Sequence, residues 1–508
     1  MMRLAPRILL FSCLLVLPVA AQRGKQPDFT GRWSTGFGPM TLEQRGDAVT
    51  GTFGFEDEST VDGEVDGRTL AFSWRNARGR GKGELKLSDD GELVIGSYER
   101  GDQEPFLGGF RLVPHVPKLV GGQIVTGQTE SGMRFHARAP KRWNRRDDLP
   151  ALVILHGSNM TAADYVATIA GAFPKLAERY LVIGFDGEHL SPSARPEALA
   201  FNYTYINFSG EGVGPIWMQR QSPGLLADGM RQLQEEWDIP RFVVGGHSQG
   251  GFLTWVMALH FPELVSGAFP MSCNLLVQCE PDYFDDAEHI AAQHRVALAP
   301  IHGENDKVVD YGGSTYAVGR MIDGGFPAVR LFSDPRAAHM FARLPVLEAV
   351  NWIELMTADD PDDLIAFAKD ALDAGDDRDA VAALARARSV DGSLRGSAKR
   401  RADAVDDELV ERIEAAAVDL LPKIRADEDG GWVEDFLAFR RRFGPHPAAA
   451  PVMEAYAKVR AAQADEAEEL FGKARGIRDR DERNAVYREL LERCYASKWY
   501  EPVKGWLD

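Results

Sequence analysis

The stretch Arg241-Phe242-Val243-Val244-Gly245-Gly246-His247-Ser248-Gln249-Gly250-Gly251-Phe252 constrains this chain more than any other. Its β-branched and aromatic start predicts a short buried strand and its glycines a tight turn. The apolar spacing that follows predicts a helix to about Phe261, where Pro262 stops it. So sharp a strand-to-helix turn lifts one hydroxyl above the sheet. It tolerates no Cβ on either side, and Gly246-x-Ser248-x-Gly250 meets that need. With glycine at 50 of 508 positions, a bare G-x-S-x-G arises by chance in roughly one such chain in five, so the surroundings decide.

Those surroundings alternate strands and helices over 118–357. A hairpin over 123–137 leads into strands at 151–155, 181–185, 241–247, 266–270, 296–301 and 328–332. Helices are predicted over 161–178, 224–237, 248–261, 284–294, 312–324 and 344–357. Continuous apolar strands separated by helices predict a mostly parallel sheet covered on both faces, with ligands at the carboxyl ends of the strands. One long irregular insert, 187–222, carries Phe201, Tyr203, Tyr205, Phe208, Trp217 and Met218. An insert of this length and aromatic content reads as a binding wall over Ser248, with Tyr203, Tyr205 and Trp217 as substrate contacts.

A chain of this length exceeds one core, and the sequence divides accordingly. Residues 1–21 pair Arg3 and Arg7 with an apolar run over 8–17 and end in Val19-Ala20-Ala21, the pattern of a cleaved signal peptide. The run is too short for a membrane anchor, so a secreted or periplasmic protein without a membrane span is expected. Residues 28–113 show short alternating segments and turns such as Asp62-Gly63 and Asp66-Gly67, which predict a small all-β meander barrel. Trp33, Trp74 and Tyr98 recur there at strand spacing and are read as barrel core. The formal charge of −18 argues against nucleic-acid binding. In an exported chain Cys273 and Cys279 lie close enough for a local disulfide, while Cys494 reads as a buried apolar residue.

Composition shifts near Thr357 towards Ala, Asp, Arg, Glu and Leu. Helical periodicity then runs through 364–372, 380–387, 409–421, 432–443, 451–462, 465–474 and 481–497. Paired helices of this kind resemble degenerate tetratricopeptide repeats over 358–508, which bind protein partners or serve as packing. Removal of this region at Thr357 is expected to leave the preceding unit folded.

Gly246-His247-Ser248-Gln249-Gly250, the earlier His156-Gly157 after a strand and the later His302-Gly303-Glu304-Asn305-Asp306 together resemble the α/β-hydrolase superfamily. The similarity is to phospholipase/carboxylesterase, dienelactone-hydrolase and polyhydroxybutyrate-depolymerase-like esterases, and it covers about 240 residues. It implies a Ser, Asp, His triad in that chain order. Ser248 is then the nucleophile. Asp306 is the acid, favoured over Glu304 and Asp310 by its place in H-G-x-x-D. Only His339 and His446 follow it, and His339, about seven residues past the last sheet strand, is taken as the base. Ala337-Ala338 departs from the glycine usual before this histidine. The amides of Ser158 and Gln249 would form the oxyanion hole. His156 and His302 are read as turn supports rather than metal ligands. Neither a metal nor another cofactor is expected. The resemblance implies an exported serine hydrolase cleaving a small or polymeric carboxylic ester through an acyl-enzyme. A serine peptidase and a catalytically silent binding scaffold are the alternatives.

Overall fold

The computed structural model describes residues 27–507, apart from 36–37, 54–58, 77–78, 88–93, 100, 102–105, 115, 131–132, 145–147, 159, 188–221, 274–294, 391–393 and 428–429. The expected signal, Cys279, the helix at 284–294 and the aromatic residues Tyr203, Tyr205 and Trp217 all lie outside the described residues. Contacts divide the chain into two compact units, Met1–Leu112 and Val113–Asp508.

The first unit is a closed antiparallel barrel of β1 (Gly31–Thr35), β2 (Gly38–Arg45), β3 (Ala48–Phe53), β4 (Thr60–Asp66), β5 (Thr69–Asn76), β6 (Gly79–Leu87), β7 (Val94–Tyr98) and β8 (Phe106–Pro114). Alternation places every second side chain inside. Leu70 and Phe72 of β5 join Phe29, Trp33, Leu42, Val49 and Leu85 in its core. The tips at Gly46 and Gly67 have φ of 66° and 60°, which only glycine adopts cheaply. Trp74 and Tyr98 are half-buried and meet edge to face.

The second unit is built on a sheet whose order is β9 (Ile124–Gln128), β10 (Arg134–Arg138), β12 (Leu181–Phe185), β11 (Ala151–Leu155), β13 (Phe242–His247), β14 (Val265–Met271), β16 (Ile301–Gly303), β17 (Phe332–Asp334), with β15 (Ala297–Leu298) also on β14. Strand β10 is antiparallel to both its neighbours, β9 and β12, and the remaining pairs are parallel. The chain leaves β11 for β12 on one side and returns to β13 on the other. This reversal opens a crevice at the carboxyl ends of β11 and β13.

Helices cover both faces. Strand alternation sends Leu152 and Ile154 to one face, with α1 (Ala162–Ala172) and α6 (Val346–Met356). Val153 and Leu155 go to the other, with α3 (Ser222–Trp237), α4 (Gln249–His260) and α5 (Tyr311–Asp323). The predicted helix over 161–178 breaks at Phe173, where Pro174 begins a separate short helix, α2 (Pro174–Ala177). The predicted strand over 296–301 is split by Ala299-Pro300, because proline has no N–H for the ladder. The expected strand at 328–332 is reduced to a bridge between Val329 and Leu298, followed by β17. Ala328 and Arg330 keep backbone bonds to Leu298, and the carbonyls of Phe326, Pro327 and Val329 accept from Arg378.

The C-terminal helices are α7 (Pro361–Asp373), α8 (Asp377–Val390), α9 (Gly396–Ala426), α10 (Val433–Phe443), α11 (Ala450–Gly476), α12 (Arg480–Arg493) and α13 (Tyr500–Leu507). They belong to the same compact unit as the sheet. The segments expected as helices at 451–462 and 465–474 are one helix, since Ala461-Ala462-Gln463-Ala464 contains no breaker. Among the described residues no helix is long and apolar enough to cross a membrane.

Candidate active site

Strand β13 is buried along its whole length and delivers Ser248 to the top of the sheet. Ser248 has φ 53° and ψ −116°, a conformation rare outside glycine. The surroundings enforce it. The Ser248 N–H donates to the Met271 carbonyl at 2.8 Å, and its own carbonyl accepts from Gly251 N–H at 2.9 Å. A Cβ on Gly246 would lie 2.3 Å from the Gly250 carbonyl oxygen, and one on Gly250 would lie 2.3 Å from that of Leu155. The two glycines therefore let the helix start pack directly on its neighbouring strands. Ser248 itself is half-buried.

Asp306 and His339 arrive from different loops. Asp306 follows β16 and His339 follows β17, 33 residues later in the chain. His339 Nδ1 lies 2.7 Å from Asp306 Oδ2. The other carboxylate oxygen, Oδ1, accepts from the amides of Val308 at 2.8 Å and Val309 at 3.0 Å. Burial of this carboxyl opposes ionisation. Donors from His302, His339, Val309 and Val308 outweigh burial and hold Asp306 well below the usual carboxylate range. His446, the other histidine past the acid, is far from this cluster in role: its Nε2 lies 3.0 Å from Asp406 Oδ1 within the C-terminal helices.

His339 stands beside the serine turn. The rings of His339 and His247 are 4.6 Å apart, centre to centre. Burial, with the neighbouring His339 charge adding to it, pushes His247 down to about 3, so its imidazole stays neutral. Burial pushes the Tyr165 hydroxyl up to about 12. Tyr165 thus keeps its proton, and its hydroxyl is hydrogen-bonded with His247 Nδ1 at 2.9 Å. Phe341 stacks on Tyr165 with ring centres 4.9 Å apart, closing the site from the side of α1.

The two predicted oxyanion donors lie on facing segments. Gln249 is buried and opens α4, where the helix dipole adds partial positive charge to the first amides. Ser158 is exposed in the turn after β11. That turn is pinned by His156: Gly187 N–H donates to its Nε2 at 2.9 Å, so Nδ1 carries the proton and donates to the Gly157 carbonyl at 2.8 Å. Thr161 and Asp164 form a capping box that starts α1 just beyond.

Sequence reading did not assign Tyr165, and it read His302 only as a turn support. Tyr165 sits on a predicted helix with nothing to distinguish it from core aromatics. His302 stands four residues before Asp306, a spacing that was already visible. Among the described residues, no group of three or more His, Cys, Asp or Glu is arranged to hold a metal.

A family model for the alpha/beta hydrolase fold matches residues 150–291. Among solved structures, the chain is similar to a thermostable esterase, with 16% identity over 58% of this chain and 73% of that one and a TM-score of 0.33. It is similar to poly(aspartic acid) hydrolase-1 from Sphingomonas sp. KT-1, with 17% identity over 44% and 96% of the two chains and a TM-score of 0.32. An acetyl xylan esterase from Aspergillus awamori is 16% identical over 46% and 98%, with a TM-score of 0.31. No curated protein matches the chain. The sheet order, the turn after β13 and the family match give the central part of the chain the α/β-hydrolase fold.

Proposed function

We propose that the protein is an exported serine hydrolase that cleaves carboxylic esters through an acyl-enzyme. The observation that carries this reading is the buried, ionised Asp306 on His339 Nδ1, beside a serine in a strained strand-to-helix turn. Neutral His339, with Nδ1–H donated to Asp306, presents Nε2 as a base for the Ser248 hydroxyl. The serine oxygen attacks the ester carbonyl while its proton passes to Nε2. Amides of Gln249 and Ser158 bear the oxyanion. Collapse expels the alcohol, which takes the proton back, and water then repeats the sequence to release the acid.

Tyr203, Tyr205 and Trp217 are proposed as substrate contacts, and the C-terminal helices as a surface for a protein partner. The deciding experiment is labelling of purified protein with a fluorophosphonate, followed by a screen of short-chain, aryl, polyester and peptide substrates. Labelling lost in Ser248→Ala together with ester turnover supports the proposal. Turnover that survives Ser248→Ala, or turnover of peptides alone, overturns it.

A further inference from the structure

We propose that His302 is a positioning residue for the Ser248 chemistry, sharing the Asp306 carboxylate oxygen with His339 and tuning how strongly that oxygen holds the His339 proton. The proposal rests on the serine-hydrolase reading above. The side chains of His302 and Asp306 are both fully buried, and His302 Nε2 lies 3.4 Å from Asp306 Oδ2, the oxygen that also takes His339 Nδ1 at 2.7 Å. His302 Nε2 is also 3.1 Å from the Val309 carbonyl. Both named neighbours of this nitrogen are acceptors, so it carries a proton, which is bonded to the Val309 carbonyl and lies beside Asp306 Oδ2.

The ring cannot turn away. Its Nδ1 is 2.7 Å from Ser314 Oγ, and that hydroxyl also lies 2.8 Å from the Cys273 carbonyl. Ser314 belongs to α5 and Cys273 follows β14, so the imidazole is clamped between helix and sheet. Tyr311 presents an edge to it, with ring centres 5.8 Å apart. The titratable groups that face His302 electrostatically are Asp306, Asp310 and His247.

Two consequences follow for the proton on His339. A second donor on Oδ2 fixes the rotation of the carboxylate and so the aim of its bond to His339 Nδ1. It also draws charge from that oxygen, so that the imidazolium formed during acylation is stabilised less and reprotonation of the base requires a lower pH. A turn-supporting histidine would have neither effect.

The test compares wild type with His302→Leu, His302→Gln and Ser314→Ala, using p-nitrophenyl acetate and active sites counted by fluorophosphonate. His302→Leu removes the donor, and His302→Gln returns an N–H at the Nε2 position. For His302→Leu the expected result is a fall in kcat of about tenfold to a hundredfold per titrated site, with KM within about twofold. Its acid limb in kcat/KM should move up by about half a pH unit or more. His302→Gln should return the limb to the wild-type position, and Ser314→Ala should fall between. An unmoved limb in all three variants, with losses confined to the count of titratable sites, overturns the proposal. Should wild type take no label, the serine reading itself fails. His302 is then judged by the low-field proton resonance of the His339–Asp306 hydrogen bond, which must differ between wild type and His302→Leu for the contact to stand.

Discussion

At the scale of single residues, the proposed machinery acts as one unit. Ser248→Ala, Asp306→Asn and His339→Ala should each lower kcat by several orders of magnitude, and combining them should add little, as steady-state kinetics on the double variants will register. Strictly multiplicative losses would mean independent roles. The acid side of the pH profile follows from Asp306. Because its carboxyl is held well below the usual range, it stays ionised across the working pH, and kcat/KM should rise along a limb of one-proton slope belonging to His339 alone. The same depressed value sets the sign for stability. Asp306 contributes above its unfolded value of about 3.9 and loses that contribution as pH falls from there toward its folded value. The gap in Tm between wild type and Asp306→Asn should therefore shrink below about pH 4.

At the scale of elements, the turn between β13 and α4 holds its serine at φ 53° and ψ −116° at some cost, of order 1–3 kcal/mol. Glycine adopts that conformation freely, so Ser248→Gly should melt above Ser248→Ala by several degrees, despite the entropy glycine adds to the unfolded chain. Calorimetry on the two inactive proteins decides it, and a glycine variant melting below the alanine one would mean the turn carries too little strain to offset that entropy. Among the C-terminal helices, charge rather than apolar burial sets one register. Asp377 at the start of α8 is buried and accepts from Arg412 of α9 at 2.9 Å and from Arg442 Nε of α10 at 3.1 Å. Removing both arginines would strand that carboxylate, so Arg412→Met with Arg442→Met should destabilise the chain by about 3–5 kcal/mol in denaturant titration.

At the scale of the whole molecule, the boundary at Thr357 separates compositions without separating cores. Leu364, Ile365, Ala368 and Leu372 of α7 and Val381 and Leu384 of α8 share one apolar cluster with Leu152, Ile154, Val182 and Phe269 of the sheet. Arg378 supplies the carbonyls of Phe326, Pro327 and Val329, and Asp379 accepts from Trp352 Nε1 at 2.9 Å. Truncation at 357 should therefore give aggregated protein on size-exclusion chromatography, the reverse of the independence that composition suggested. The barrel has its own core, so residues 113–508 expressed alone should remain monodisperse and melt cooperatively.

What the sequence determined by itself was whatever depends on near neighbours in the chain. The β13–α4 turn, the alternation of β5, the buried strands β11 and β12 and the punctuation at Phe261-Pro262 are set by residue periodicity and by glycines and prolines. The positions of Ser248, Asp306 and His339 were legible because each sits just past a strand, in a chain order that the resemblance supplied. Tertiary structure alone decided the features that rest on contacts between distant segments. Arg378 reaches across the chain to bind the carbonyls of Phe326, Pro327 and Val329. The apolar faces of α7 and α8 close over the sheet instead of forming a core of their own. His302, four residues from Asp306, has its imidazole turned onto that carboxylate by Ser314 and by the Cys273 carbonyl, partners 12 and 29 residues distant in the chain. Periodicity reports which face of an element is buried, whereas the identity of the group it meets depends on the packing of the whole sheet.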